Sequence, residues 1–307
     1  MKVLVMGAGA VGAYCGARLQ AAGEDVVFCA RGENLRALQQ HGLELQSYRG
    51  DLKLKVTATD EPARFAPYDL ILFTVKVYDT DRAAERIKQC LKPDGVILTL
   101  QNGIEGEQRL SEIFGHQSVM AGNARVGVEL VAPGKVVHST TGVIEFGEFD
   151  GTISARAKRI AEVFERAGIL GELTTEMREK RWEKLMWNAT FNTVTTLTRR
   201  RVGEVLADPE GQALVRALMA EVQAVAKTDG AELSDERVSQ LYAHSVANLS
   251  SLKTSTFQDL ERGKRLEYDA LTGAVVRVAR RHGLKVPVVE TVYALIKLLD
   301  EGAHPRH

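Results

Sequence analysis

Cysteine is scarce in this chain of 307 residues: Cys15, Cys29 and Cys90 are odd in number and show no Cys-x-x-Cys spacing. That argues against a disulfide framework or a thiolate metal site and for buried thiols in a reducing compartment. No run of about 20 apolar residues occurs, so there is no transmembrane helix to place. Neither sign of charge is in excess, because 40 basic and 40 acidic residues cancel. No basic footprint therefore marks nucleic acid or an anionic membrane surface as a partner. The histidines lack ligand spacing, and His138 in a strand-like run and His244 in a helix-like one read as structural rather than as metal ligands. Internal repeats and low-complexity segments are absent as well. The composition is that of a soluble, cytoplasmic protein long enough for two domains. The N-terminus reads as the first strand of a fold and not as a cleavable signal peptide.

That first strand carries the strongest signal. The apolar run Val3 to Met6 ends in Gly7-Ala8-Gly9-Ala10-Val11-Gly12 and passes at once into a helix-like segment, Ala13 to Ala22. Strand, glycine turn and helix in this order are what a dinucleotide pyrophosphate requires. Gly7 permits the turn, Gly9 lets the backbone approach the phosphates, and Gly12 lets helix and strand pack closely. The helix N-terminus then presents free N–H groups and a positive dipole end to the anion. The second strand, Asp25 to Cys29, leads into Arg31. An NAD-binding unit places a carboxylate about 20 residues after the glycines, whereas an arginine there suits the 2′-phosphate of NADP. NADP is the expected cofactor; Glu33, two residues on, is the alternative NAD-type acid, and a surface arginine without a role is the plainest account.

Strand-like and helix-like segments alternate through the first half, the pattern of a parallel sheet with crossover helices. Helices are expected over Glu33–His41, Asp79–Cys90, Glu105–Ile113 and Ser154–Ala167. Strands are expected over Asp69–Val75 and Val96–Leu100, with short β-type runs from Ser118 to Glu148. From Glu176 onward the pattern is helical: Glu176–Leu197, Gly211–Thr228, Asp235–Ser251, Arg265–His282 and Pro287–Asp300. The expectation is an α/β fold, with an N-terminal Rossmann-type doubly wound sheet over residues 1–170 and an all-helical domain over 171–307. The cleft between such domains is the natural site.

In a doubly wound sheet, ligands lie beyond the carboxyl ends of the strands. Lys76 and Asn102 stand at two such ends, although Asn102 also suits a turn or helix cap and Lys76 a solvated surface. In the helical half, Lys184, Asn188 and Asn192 are spaced by four. Each step drifts only about 40° around an α-helix, which puts the three near one face. Asparagine is a mediocre helix former, so two in one helix suggest binding. Ser255 and Glu267 belong to a third polar cluster that is compatible with plain capping and surface roles.

Taken together, Gly7-x-Gly9-x-x-Gly12, Arg31, Lys76, Gln101-Asn102-Gly103, Lys184-x3-Asn188-x3-Asn192, Ser255-x-x-Gln258-Asp259 and Glu267 resemble the ketopantoate reductase (2-dehydropantoate 2-reductase) family, essentially end to end. The resemblance implies a Rossmann domain followed by a helical domain, and NADPH-dependent reduction of ketopantoate to pantoate in pantothenate and coenzyme A synthesis. It implies that Lys184 is the general acid and that Asn102 touches nicotinamide and substrate. Asn188 and Asn192 would orient the substrate, Ser255 would bind its carboxylate, and Glu267 would hold the cofactor and keep Lys184 charged. The residues of the glycine loop, Arg31, Lys76 and Gly127 would contact the cofactor. Many members follow the second asparagine with Pro and a Leu-Thr-Ala-like run, whereas this chain reads Asn192-Thr193-Val194-Thr195-Thr196, which alters the wall of the pocket.

A reductase of a different 2-oxo acid on the same scaffold is the alternative within enzymes. A non-catalytic NADPH-sensing module is the alternative outside them. The expected partner is a small-molecule 2-oxo acid, with no nucleic acid, no membrane and no metal, and the sequence leaves a homodimer open.

Overall fold

The computed structural model describes residues 1–304. Two compact units make up the chain. One holds Met1–Gln101 and Gly106–Met177; the other holds Asn102–Glu105 and the described residues from Arg178 onward.

The first unit is built on one sheet. Its strands are β1 (Lys2–Met6), β2 (Asp25–Cys29), β3 (Leu43–Ser47), β4 (Leu52–Leu54), β5 (Thr57–Thr59), β6 (Tyr68–Phe73), β7 (Leu91–Thr99), β8 (Val119–Ala132), β9 (Lys135–Gly147) and β10 (Gly171–Leu173). Across the sheet the order is β4-β3-β9-β8-β7-β6-β1-β2-β5, with β10 beside β9. The run β5-β2-β1-β6-β7-β8 is parallel throughout. It is the 3-2-1-4-5-6 arrangement of doubly wound dinucleotide folds, whose order reverses between β1 and β6. The helices of this unit are α1 (Ala10–Ala21), α2 (Gly32–His41), α3 (Thr80–Glu85), α4 (Gly106–Phe114) and α5 (Ala155–Arg166).

Apolar residues on both faces explain why the central strands are continuous hydrophobic runs. Val3, Val5, Leu70, Leu72, Val96 and Leu98 pack into one core cluster, while their neighbours Leu4, Met6, Ile71, Phe73 and Ile97 pack into another. The β-type runs after Ser118 form one long antiparallel hairpin, β8–β9, closing at Pro133-Gly134. The helix expected over Asp79–Cys90 covers only Thr80–Glu85; the chain then turns into β7, and Pro93-Asp94-Gly95 lies inside that strand instead of ending a helix. The three cysteines are buried free thiols.

The second unit is helical: α6 (Met177–Trp187), α7 (Thr193–Thr198), α8 (Val202–Leu206), α9 (Pro209–Thr228), α10 (Asp235–Asn248), α11 (Ser255–Glu261), α12 (Ala274–Arg281) and α13 (Pro287–Ala303). Its core joins Trp182, Leu185, Met186 and Phe191 to Val215, Leu218, Val222, Val275 and Val289. Two π turns interrupt the expected helices. Asn188–Asn192 separates α6 from α7 inside the span expected as one helix, and Asp269–Gly273 precedes α12. The segment from Arg265 to Glu267, expected as helix, lies outside it.

Candidate active site

The glycine loop leaves β1 where the strand order reverses. Gly7 has φ +107°, a conformation that L side chains rarely adopt, and Thr74 Oγ1 donates to its carbonyl at 2.7 Å. A Cβ on Gly12 would come within 2.3 Å of the Gly7 carbonyl and 2.5 Å of Thr74 Oγ1, so a methyl group there has no room. A Cβ on Gly9 would meet nothing within 4 Å. Gly9 also opens α1 with no side-chain cap. The backbone at the start of that helix is therefore open to an approaching phosphate, with the helix dipole favouring its charge. Ala8 is a buried residue of the loop, and Asn34 Nδ2 donates to its carbonyl at 2.8 Å. The same Asn34 accepts from the Gly134 N–H at 2.8 Å, tying the loop to the β8–β9 hairpin.

Arg31 is the last residue before α2, and its Nη2 lies 2.7 Å from Asp79 Oδ2. Glu33 stands exposed in the first turn of that helix. Lys76 is half-buried in the loop after β6, where the Asp79 N–H donates to the Lys76 carbonyl at 2.9 Å. Buried Gln101 braces this loop from the end of β7, donating to the Val75 carbonyl at 3.0 Å and to Thr80 Oγ1 at 2.9 Å. Gly127 lies in β8 opposite Thr140, between two register shifts, where a Cβ would collide with the Thr140 hydroxyl. That close approach requires a glycine at 127.

In the second unit, four contacts hold the short segment Asn102–Glu105. Asn102 Nδ2 donates to Glu267 Oε2 at 3.2 Å, and Gly103 (φ +82°) packs its Cα on the Ala270 carbonyl. Arg181 donates from Nη2 to the Gly103 carbonyl at 2.5 Å. Glu105 forms a two-point pair with Arg277, at 2.9 and 2.6 Å. Arg181 is 4% exposed, and burial pushes its guanidinium down to about 9, which leaves it cationic at neutral pH.

Lys184 is half-buried in the last turn of α6, and Asn188 and Asn192 follow in the π turn, both buried. The widened turn replaces the regular helical face expected from the spacing. Anchors on either side fix it: Trp187 Nε1 donates to Ser245 Oγ at 3.1 Å, and Thr195 and Thr196 return their hydroxyls to the carbonyls of Phe191 and Asn192. Asn192 Nδ2 donates to Thr256 Oγ1 at 3.2 Å and reaches Ser255 Oγ at 3.5 Å, while its Oδ1 is buried with no partner among the described residues. Ser255 is exposed; Thr254, not Ser255, caps α11 by accepting from the Phe257 N–H. The two π turns touch, so Asn192 and the segment just after Glu267 belong to one cluster. Single π turns inside helices are frequent at functional sites.

The structure thus groups Asn102 with Glu267 and Asn192 with Ser255. Sequence reasoning passed over Asn34, Thr74, Asp79 and Arg181. Arg181 sits in the charged run Arg178 to Lys184, where nothing local separates one buried cation from solvated ones. His138 is buried with Nδ1 3.0 Å from Ser47 Oγ, its ring between Tyr14 and Tyr48, and burial lowers its pKa. His244 is an exposed helix residue beside Asn248. Among the described residues no three His, Cys, Asp or Glu side chains stand as a metal-binding group.

A family model described as Ketopantoate reductase PanE/ApbA matches residues 3–151, and its C-terminal counterpart matches residues 176–300. The 2-dehydropantoate 2-reductase of Archaeoglobus fulgidus is 34% identical over 302 residues, 98% of each chain. That of Nostoc sp. is 30% identical over 305 residues, 97% of this chain and 95% of its own. A crystal structure of a PanE/ApbA family ketopantoate reductase from Ralstonia eutropha matches at TM-score 0.92 and 33% identity, over 99% of both chains. A D-mandelate dehydrogenase solved with NADH and anilino(oxo)acetate shares the fold at TM-score 0.93 and 22% identity, over all of both chains.

Proposed function

This chain belongs to the ketopantoate reductase family, and from that premise we propose that it reduces 2-dehydropantoate (ketopantoate) to pantoate with NADPH, feeding pantothenate and coenzyme A synthesis. Membership makes it an oxidoreductase acting on a CH–OH donor. Substrate and cofactor form are the proposed part.

The observation that carries the reading is Asn192. A buried amide that donates to Thr256 while its Oδ1 lacks a partner is costly unless a ligand supplies the missing donor. The hydroxyl of a hydroxylated oxo acid is such a donor. Asn188 orients the same molecule from the π turn, and exposed Ser255 takes its carboxylate. The cofactor fits the first unit: the open backbone at Gly9 and the uncapped start of α1 suit a pyrophosphate held by residues 7–12. Arg31 and Lys76 supply the cations for a 2′-phosphate.

A bound reduced nicotinamide supplies the hydride that reaches the ketone carbon. Lys184 stabilises the negative charge growing on the ketone oxygen and donates a proton from Nζ to complete the hydroxyl. Glu267 fixes the Asn102 amide by the 3.2 Å hydrogen bond, and the family resemblance assigns it the further role of keeping Lys184 charged, as a proton donor must be. Asn102 in turn orients the reacting groups.

A second reading, reduction of another 2-oxo acid, draws on Thr193. At the position where the family resemblance implies proline in many members, this residue is buried with a hydroxyl that has no partner among the described residues. Oxidation of NADPH by purified protein, measured with ketopantoate, a panel of 2-oxo acids and an NADH control, separates the readings. Fast turnover with ketopantoate is expected. Turnover with another acid alone would transfer the assignment to it, and tight NADPH binding with no turnover would return the sensing module.

A further inference from the structure

The ion pair between Arg31 and Asp79 lies where the two cofactor forms differ. Arg31 follows the end of β2 and opens α2, the place at which a doubly wound fold meets the adenine ribose. Its guanidinium, however, is engaged by a carboxylate, with Nη2 2.7 Å from Asp79 Oδ2. The carboxylate is not there by accident of a loose loop. Asp79 closes a 3-10 turn by donating its N–H to the Lys76 carbonyl, and Thr80 Oγ1 donates to the Val77 carbonyl at 2.7 Å. Gln101 then clamps both ends of the turn through Val75 and Thr80. The side chains are 50% and 25% exposed, so the pair is weakly held and open to a ligand.

We propose that Asp79 is a specificity-determining residue that lowers the preference for NADPH over NADH by competing for Arg31. The inference rests on the reading of residues 7–12 and Arg31 as a dinucleotide site. A 2′-phosphate is an anion that needs the same guanidinium, so it must share or displace the Asp79 carboxylate. NADH brings no such anion. Its 2′-hydroxyl meets a carboxylate able to accept a hydrogen bond, the role that an acidic residue at the strand end plays in NAD-binding folds. One pair therefore serves both forms: Arg31 answers the phosphate, and Asp79 answers the hydroxyl. The consequence is an enzyme that uses both nucleotides, with a preference smaller than Arg31 alone would give.

Dissociation constants for NADPH and NADH, measured by fluorescence titration of the full chain, test this. Asp79→Asn keeps the size and removes the charge, and is expected to tighten NADPH by at least about threefold while leaving NADH unchanged or weaker. The gain should shrink as salt rises. In an Arg31→Ala background the same substitution is expected to lose most of its effect, because the guanidinium contested by the two anions is gone. An unchanged or weakened NADPH affinity in Asp79→Asn, with the melting temperature retained, overturns the proposal and leaves the dinucleotide site standing. Failure of the parent protein to bind either nucleotide overturns the site and the proposal together.

Discussion

The side-chain amide of Asn102 donates to Glu267 Oε2 at 3.2 Å, joining a turn to a segment 165 residues further along the chain. Glu267 is 6% exposed and lies just before a π turn, so its carboxylate has a fixed position from which to hold the amide. A hydrogen bond to a charged group is worth about 1.5–3 kcal/mol. Glu267→Ala is therefore expected to lower kcat/KM by about tenfold or more. If the two residues act as a unit, Asn102→Ala gives a comparable loss and the double variant is little worse than either. Losses that simply add in the double variant would separate their roles.

Lys184 tests the chemistry more directly. Lys184→Ala is expected to lower kcat by about 100-fold or more, the usual share of a positioned proton donor. NADPH affinity should fall far less than kcat, because most of the groups proposed to hold the dinucleotide lie in residues 7–12, 31 and 76, and Lys184 is not among them. Titration of NADPH beside single-turnover kinetics makes the comparison, and unchanged turnover removes Lys184 from the mechanism.

How much of this was legible in the sequence depended on the range of the forces involved. The strand, glycine turn and helix at residues 3–22 are specified locally, by apolar pattern and by backbone freedom at Gly7, and the structure reproduces them. The long two-faced run of β6 was readable for the same reason. The short strands β3, β4 and β5 were not anticipated, since three to five residues acquire strand geometry only from the neighbour with which they pair. The π turn at Asn188–Asn192 was hidden too. Asn-Ala-Thr-Phe-Asn contains no helix breaker, and the widening goes with packing of Trp187, Phe191 and the second π turn. Asp79 and Arg181 illustrate the same limit: a charge identifies itself in sequence, but its partner is a property of the fold.

The glycines of the loop make a paired test of stability against binding. Gly9 has φ −77° and open space where a Cβ would go, so Gly9→Ala is expected to change stability by no more than about 0.5 kcal/mol. The added methyl group occupies the approach to the backbone, and NADPH affinity should fall sharply. Gly12→Ala instead forces a methyl group against the Gly7 carbonyl, Thr74 and Val5, and overpacking of that kind costs about 1–3 kcal/mol. Urea unfolding and nucleotide titration of both variants decide the matter. A strongly destabilised Gly9→Ala with normal binding would reverse the assignment.

The buried thiols make stability depend on alkaline pH in a direction that can be worked out. Burial pushes Cys15 up to about 12 and Cys29 up to about 11, whereas an unfolded cysteine titrates near about 8.5. Below the unfolded value both states keep the proton, and the thiols add no pH dependence. Above it the unfolded chain releases protons that the folded chain retains, so stability falls as pH rises, by up to about 1.4 kcal/mol per pH unit for each thiol. The decline should begin near about pH 8.5 and be readable up to about pH 9.5, below the ordinary range of tyrosine. Urea midpoints across that window are expected to drop in the parent protein and to vary less in Cys15→Ala/Cys29→Ala, although the variant starts from a lower stability because both side chains are packed in the core. The same slope in both proteins would place the alkaline sensitivity elsewhere. Resistance of the native thiols to maleimide until urea is added is the companion observation, because the thiolate is the reactive form and burial suppresses it.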